Sequence, residues 1–432
     1  MRTGIVWFTN DLRLADNAVL DLALQTCDRI IPLYICSPEW QQTNAYGFLN
    51  QGHFRTQFVF ESLLDLDQSL RAKQSGLLLK FGAVESILKQ VVQQFKVDVI
   101  YTQKAVAVNE LKLHNALKSD LQNMGCELIS INNHSLYHES DLPFALSQMP
   151  LVFTDFRRQV EAIPVKALSS IGVDSIPSPT IEPMQWPNLD AFETYSSYGY
   201  DRRNTELEGG QFAGFKRLNA FVFVTQAIQH YKDNRNALNG DFNFSKLSPW
   251  LALGCISAKQ IYHAVKQFEQ QYLANESTYW VVFELLWRDF FIFSMMKQPN
   301  AYFLVSGLHQ HKPHQPIIDE QLLQHWCNAQ TSNDLVNALM TELNCTGFMS
   351  NRGRQIVASY FCHDMGLDWR YGAAYFQQQL IDFDVSSNWC NWAYIAGVGN
   401  NPRGKSHFNI QKQADQFDAD YAFRQLWLKH SI

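Results

Sequence analysis

The chain has 432 residues, long enough for two or three domains with a substantial core. Its 46% hydrophobic and 18% charged content, with both signs interspersed, excludes a disordered chain. The net charge of −6 argues against a protein that coats nucleic acid without specificity, while leaving room for a local basic patch.

The N-terminal stretch MRTGIVWFTNDLRL lacks the apolar run and small-residue cleavage site of a secretory signal. No stretch of about twenty apolar residues suggests a membrane span. Eight cysteines with no C-x-x-C pair read as buried free thiols rather than a disulfide or zinc framework. A cytoplasmic protein without a membrane partner is the expectation.

Along the first third, the short apolar runs GIVWF (4–8), RIIPLYIC (29–36), LLLKF (77–81), VDVIY (97–101) and CELISI (126–131) have the length and branching of buried strands. FVFESLLDLDQSLRAK and NELKLHNALKSDLQNM, between them, space apolar residues three and four apart, as crossover helices do. This alternation predicts an α/β domain over residues 1–135 built on a doubly wound parallel sheet. Five of the 14 prolines fall between 164 and 187, so residues 136–204 read as a connector. From 205 to 432 the pattern is helical, predicting an all-α domain, and most of the tryptophans lie there.

Four stretches of that second domain carry chemistry. In NFSKLSPWLALG, Ser248 before Pro249 predicts a capped helix start. Ser245, Lys246 and Ser248 would add anion-binding donors there, although a plain helix cap accounts for the pattern equally. In YWVVFELLWRDFF, Glu284, Trp287 and Arg288 share one helical face, unless Glu284 and Arg288 simply pair at the surface. In TGFMSNRGRQIVASYF, Asn351, Arg354 and Gln355 share another face, and a buried Arg354 would need Asp382 or Asp384 as partner. Those acids open LIDFDVSSNWCNW, where Asn388, Trp389 and Trp392 follow. Together the four describe a polar-lined, aromatic-walled pocket. Two other stretches are decoys. LHQHKPHQP (308–316) spaces three histidines like metal ligands but reads as a Pro-broken loop with no metal. GVGNNPRG follows a helix rather than a strand, so it is no dinucleotide loop.

LSPWLALG, FELLWRDFF, ELNCTGFMSNRGRQIVASYF and NWAYIAGVGNNPRGKSHFNIQKQA, with the N-terminal IVWFTNDLRLADN and SLYHESDLPF, resemble the signature blocks of the photolyase/cryptochrome family, closest to its DASH branch. The resemblance runs nearly end to end. It implies an N-terminal antenna domain and a helical domain holding FAD. Tyr231, Ser245, Lys246, Leu247 and Ser248 would lie around the FAD phosphates. Arg354 would pair with Asp382 beside the flavin, Asp384 would lie near the flavin ring and ribose, and Asn388 would face its N5. Glu284, Arg288 and Asn351 would also border the cofactor. Trp392 and Trp369 match the inner and middle members of the family's electron-hopping chain. The outer Trp is missing, since no Trp lies between 288 and 325. The chain would then end at a Tyr, exit by Trp326 or Trp389, or fail.

On the substrate side the resemblance implies a DNA photolyase acting on cyclobutane pyrimidine dimers, mainly in single strands. Glu284, Trp287, Asn351, Arg352, Gln355, Tyr394 and Arg403 would contact the DNA. Relatives that repair the 6-4 photoproduct use two histidines where Asn351 and Gln355 stand here. Asn109 and Glu110 match a motif for a methenyltetrahydrofolate antenna. Phe244 replaces a hydroxyl residue of the family, and CNAQTSNDLVNAL (327–339) departs from its form at the DNA cavity's rim. A blue-light photoreceptor signalling through a partner, and a flavin-binding relic, are the alternatives.

Overall fold

The computed structural model describes residues 1–169, 172–182, 207–309 and 316–429. Five parallel strands form one sheet in the order β3-β2-β1-β4-β5: β1 (Thr3–Phe8), β2 (Arg29–Cys36), β3 (Leu78–Phe81), β4 (Val99–Gln103) and β5 (Glu127–Ile131). Their crossovers are α1 (Ala18–Thr26), α2 (His53–Arg71), α3 (Val84–Phe95) and α4 (Val108–Asn123). All six residues of β1 are buried. A central parallel strand covered on both faces needs that continuous apolar run. Ile5 and Trp7 pack with Leu88 and Val91 of α3 and with Leu117 and Leu121 of α4. Val6 and Phe8 face the other way, into a core continuous with the helical part of the chain.

Helix α5 (Phe153–Val160) lies within the span read as a connector. The prolines at 183 and 187, and most of that span's second half, lie outside the described residues, as do His311 and His314. Then follow α6 (Gln211–Asn219), α7 (Tyr231–Asn234), α8 (Ser248–Ala252), α9 (Ala258–Gln271), α10 (Glu276–Lys297), α11 (Glu320–Cys327), α12 (Asp334–Thr346), α13 (Asn351–Ser359), α14 (Trp369–Gln379), α15 (Val385–Ala396), α16 (Ile410–Phe417) and α17 (Ala422–Leu428). The fold is thus an α/β domain followed by an all-α domain.

The two parts are joined by backbone and side chain. Leu12 N–H donates to the Leu253 carbonyl at 3.1 Å, and the buried Arg13 donates to the Gly254 carbonyl at 2.9 Å. Gly254 takes φ +63°, and a Cβ there would overlap the Asn10 backbone, so only glycine permits this approach. The long α10 is buried on nearly all sides, which makes it a rigid post for the few polar groups it carries. Among the described residues, no helix is long and apolar enough to cross a membrane.

Candidate functional site

A cleft opens between α13, the end of α14 and the length of α15. Asn351, Arg354, Gln355, Asp382, Asp384, Asn388 and Trp392 line it, with Phe376, Leu380 and Ile395 as apolar wall. Seven of the residues singled out from sequence therefore meet in one place.

Local capping sets each polar group. Ser350 accepts from the Gly353 N–H at 3.2 Å and starts α13, so Asn351, Arg354 and Gln355 face the cleft at helical spacing. Arg354 is fixed by its Nε–H to the Met349 carbonyl at 2.8 Å and by a 2.8 Å ion pair with Asp382 Oδ2. Of the two acids that sequence offered as its partner, Asp382 is the one. The Asp382 side chain is 1% exposed, and its second oxygen is buried with no partner among the described residues. A buried carboxylate oxygen left open this way calls for a donor from a ligand.

Asp384 does something else. Its Oδ1 caps α15, accepting from Ser387 N–H and the Ser386 hydroxyl, both at 2.7 Å. Its Oδ2 takes a 2.9 Å bond from His134 Nε2, just beyond β5. Burial opposes its charge, but the bond from His134, the nearby Arg288 and the Ser387 N–H hold its carboxyl well below the usual range. The pKa of His134 is pushed down by burial and by Arg288, against the pull of Asp384. The His134 Nδ1 lies 3.0 Å from Gln103 Nε2, and its Nε2 is shared between Asp384 Oδ2 at 2.9 Å and Arg288 Nη2 at 2.8 Å. Arg288 donates to the His134 and Leu251 carbonyls. It is no partner of Glu284.

Asn388 donates its Nδ2 to the Ala373 carbonyl at 2.9 Å, which leaves Oδ1 without a partner among the described residues. Glu284 pairs instead with Arg235 at 2.8 Å, and burial raises its pKa against the pull of that cation. Trp287 stacks on Phe153 of α5, with centroids 3.8 Å apart and planes 12° apart, and meets Tyr394 edge-on at 5.9 Å. Arg352 bonds Asn236 at 3.1 Å and lies over Phe408 and Phe417, while its buried Nε has no partner among the described residues. Arg403 is exposed and its charge reaches Tyr394.

The loop before α8 differs from its expectation in detail. Leu247, not Ser248, is the cap residue; Ser248 is the first helical residue and makes no capping bond. Lys246, just before the cap, takes a left-handed backbone, φ +53°. Lys246 pairs with Asp241 at 3.3 Å, and Ser245 Oγ accepts from Leu247 N–H. Tyr231 opens α7, packed edge-on against Phe221. Asn109 is exposed on α4, and Glu110 turns its carboxylate back onto the Val106 and Ala107 N–H groups of its own helix start.

Trp392 and Trp369 are both buried. Trp369 meets Trp389 at 6.0 Å, and Trp392 meets Trp326 at 6.1 Å. Among the described residues, no group of three His, Cys, Asp or Glu could hold a metal.

Sequence reasoning missed His134, Arg235, Phe153 and Glu342. Glu342, on α12, lies within electrostatic reach of Lys246 and Arg354, and burial pushes its pKa up to about 8. Its Oε2 is buried with no partner among the described residues. Its place in ELNCTGFMSNRGRQ, four residues before the Thr346-Gly347 pair, was the available signal.

The polar set suits FAD: an orphaned carboxylate oxygen, a free amide oxygen and a guanidinium around an aromatic-walled cleft can satisfy a heterocycle rich in donors and acceptors. Comparison with known proteins agrees. Residues 280–431 match the FAD binding domain of DNA photolyase, and residues 4–177 match the DNA photolyase family. A cryptochrome DASH of Synechocystis sp. is 39% identical over 431 residues, 99% of this chain and 87% of that one. The crystal structure of a Synechocystis sp. cryptochrome superposes with a TM-score of 0.93 at 38% identity, covering 99% and 89% of the two chains. A bacterial class III photolyase from Agrobacterium tumefaciens has a TM-score of 0.82 at 25% identity, covering 99% and 87%.

Proposed function

Because the chain belongs to the photolyase/cryptochrome family, on its DASH side, we propose that it holds FAD in this cleft and repairs cyclobutane pyrimidine dimers in DNA under blue light. The observation that carries this reading is the Arg354–Asp382 pair with its open, buried Oδ1 beside the free Oδ1 of Asn388. Bound FAD, when reduced, would supply the light-driven electron that splits the dimer.

The protein's own groups bind and orient. Arg354 with Asp382 fixes one edge of the flavin, and Asn388 offers a neutral acceptor that adds no fixed charge. Tyr231, Ser245, Lys246, Leu247 and Ser248 would hold the phosphates. Glu284 and Asn351 present hydrogen-bonding groups to the extruded bases, Trp287 and Tyr394 an aromatic corner, and Gln355, Arg352 and Arg403 polar and basic contacts. Extruding the bases costs a few kcal/mol and least in a single strand, so a single-stranded substrate is favoured. Asn109 and Glu110 would serve a methenyltetrahydrofolate antenna. The protein is read as cytoplasmic.

The reduced, purified protein is mixed with a dimer-containing oligo(dT) strand and illuminated with blue light. Loss of dimers is expected; a strand left unchanged overturns the repair reading. A photoreceptor role is the second reading, favoured by the engagement of Glu284 with Arg235 and of one Trp287 face with Phe153. Repair failure with light-dependent binding to a partner protein would establish it.

A further inference from the structure

We propose that the hole left when Trp392 gives an electron to light-excited oxidised FAD leaves the protein through Trp389 and ends on Tyr46, in the loop after β2. The proposal rests on the reading that FAD occupies the cleft, since Trp392 forms part of its wall. Gly372 allows the close fit behind that ring: a Cβ there would overlap the Trp392 indole.

Two sets of rings lead away from Trp392. One is Trp326, edge-on at 6.1 Å, with 0% of its surface exposed. Phe361, Phe376 and Tyr375 enclose it, and its Nε1 is buried without a partner among the described residues. An oxidised indole there has no proton acceptor of its own and no solvent, and Tyr375 beside it, the one oxidisable ring among the three, is buried as well. This branch is a dead end.

The other set reaches the surface. Trp389 precedes Trp392 by one helical turn on α15, so their Cβ atoms are about 5–6 Å apart. The Trp389 ring lies 6.0 Å from Trp369 and 6.0 Å from Tyr46, and Tyr46 lies 5.2 Å from Tyr371. Trp389 also touches Phe303 at 4.7 Å, but a benzene ring is too hard to oxidise to compete. With no Trp from 288 to 325, Trp369 has no further indole in that segment, and its Nε1 is spent on the Val305 carbonyl. Tyr46 and Tyr371 are both half-buried, in reach of water.

The loop holding Tyr46 is pinned. Asn44 Oδ1 accepts from the Tyr46 N–H at 2.9 Å, and Gln378 of α14 accepts from the Leu49 and Gly52 N–H groups. Arg370, locked onto Asp368, sits 5.8 Å over the Tyr46 ring. A cation there disfavours positive charge on the ring, so the oxidised phenol sheds its proton to water. The balance is simple. FAD gains one electron, Tyr46 loses one electron and one proton, and a solvent thiol returns both as a hydrogen atom, itself becoming half of a disulfide.

FAD-loaded protein is illuminated in the absence of thiol and the radicals are read by electron paramagnetic resonance. A tyrosyl signal is expected, lost in Tyr46→Phe and replaced by a shorter-lived tryptophanyl signal; Trp326→Phe leaves the tyrosyl signal intact. A tyrosyl signal unchanged in Tyr46→Phe, or abolished in Trp326→Phe, overturns the proposal. Tyr46→Phe alters only a half-buried loop residue, so the test does not depend on a core variant such as Trp389→Phe folding. The absorption of the same samples separates causes: missing flavin bands reject the cofactor reading and the relay with it, whereas normal bands without a tyrosyl radical reject the relay alone.

Discussion

His134 Nε2 and Asp384 Oδ2 meet at 2.9 Å across 250 residues of chain, tying the end of β5 to the cap of α15. The same carboxylate starts the helix that carries Asn388 and Trp392, so the α/β domain holds the cleft wall in place. His134→Ala removes this bond and leaves a buried carboxylate short of a donor, at a cost of about 1–3 kcal/mol. Urea denaturation should show that loss together with weaker flavin retention. An unchanged midpoint would mean that Arg288 replaces the imidazole fully.

Arg354 and Asp382 form the buried pair of the cleft. Removing the cation strands a carboxylate that is 1% exposed. Breaking a buried pair costs about 3–5 kcal/mol, and the partial exposure of Arg354 places Arg354→Ala near the lower end. Replacing both, as Arg354→Met with Asp382→Leu, should restore much of the stability while abolishing flavin binding. Differential scanning fluorimetry and flavin absorbance read the two effects apart. Retained flavin in the double variant would remove the pair from the cofactor site.

The strands were legible because each central one is buried on both faces and reads as an unbroken apolar run. Helices α1 and α3 were not picked out. The apolar residues of α1 run almost into β2, and α3 is preceded by Ala83, whose side chain makes no cap to mark the start. In the site, Arg354 could be matched to an acid because the two lie 28 residues apart in stretches already suspect for their polarity. The partners of Glu284 and Asp384 were not legible. Arg235 and His134 are 49 and 250 residues away in sequence, and only the packing of α7 and β5 against α10 and α15 brings them in. Helical spacing put Glu284 and Arg288 on one face, yet stronger long-range partners pulled them apart.

Gly372 is needed because Trp392 packs where its side chain would be. Gly372→Ala forces the indole off its place against a wall shared with the cleft, an overpacking cost of about 1–3 kcal/mol. The expected result is a lower melting temperature and a changed tryptophan emission, with slower photoreduction. Unaltered emission would show that α14 rather than Trp392 gives way.

Glu342 sets a pH dependence with a definite sign. Burial raises its pKa from an ordinary 4.5 to about 8, so between those values the native protein holds a proton that the unfolded chain has lost. The unfolded state then binds fewer protons, and stability falls as pH rises through this window. The contribution is whole below the ordinary carboxylate range and gone above pH 8. Glu342→Gln keeps the shape without the ionisation. Flavin-free protein carrying it should show a flatter stability profile from pH 5 to 9, by at least about 1.4 kcal/mol, the worth of one pH unit of differential proton affinity. Parallel profiles for the two proteins in urea would mean that Lys246 and Arg354 already neutralise the carboxylate when folded.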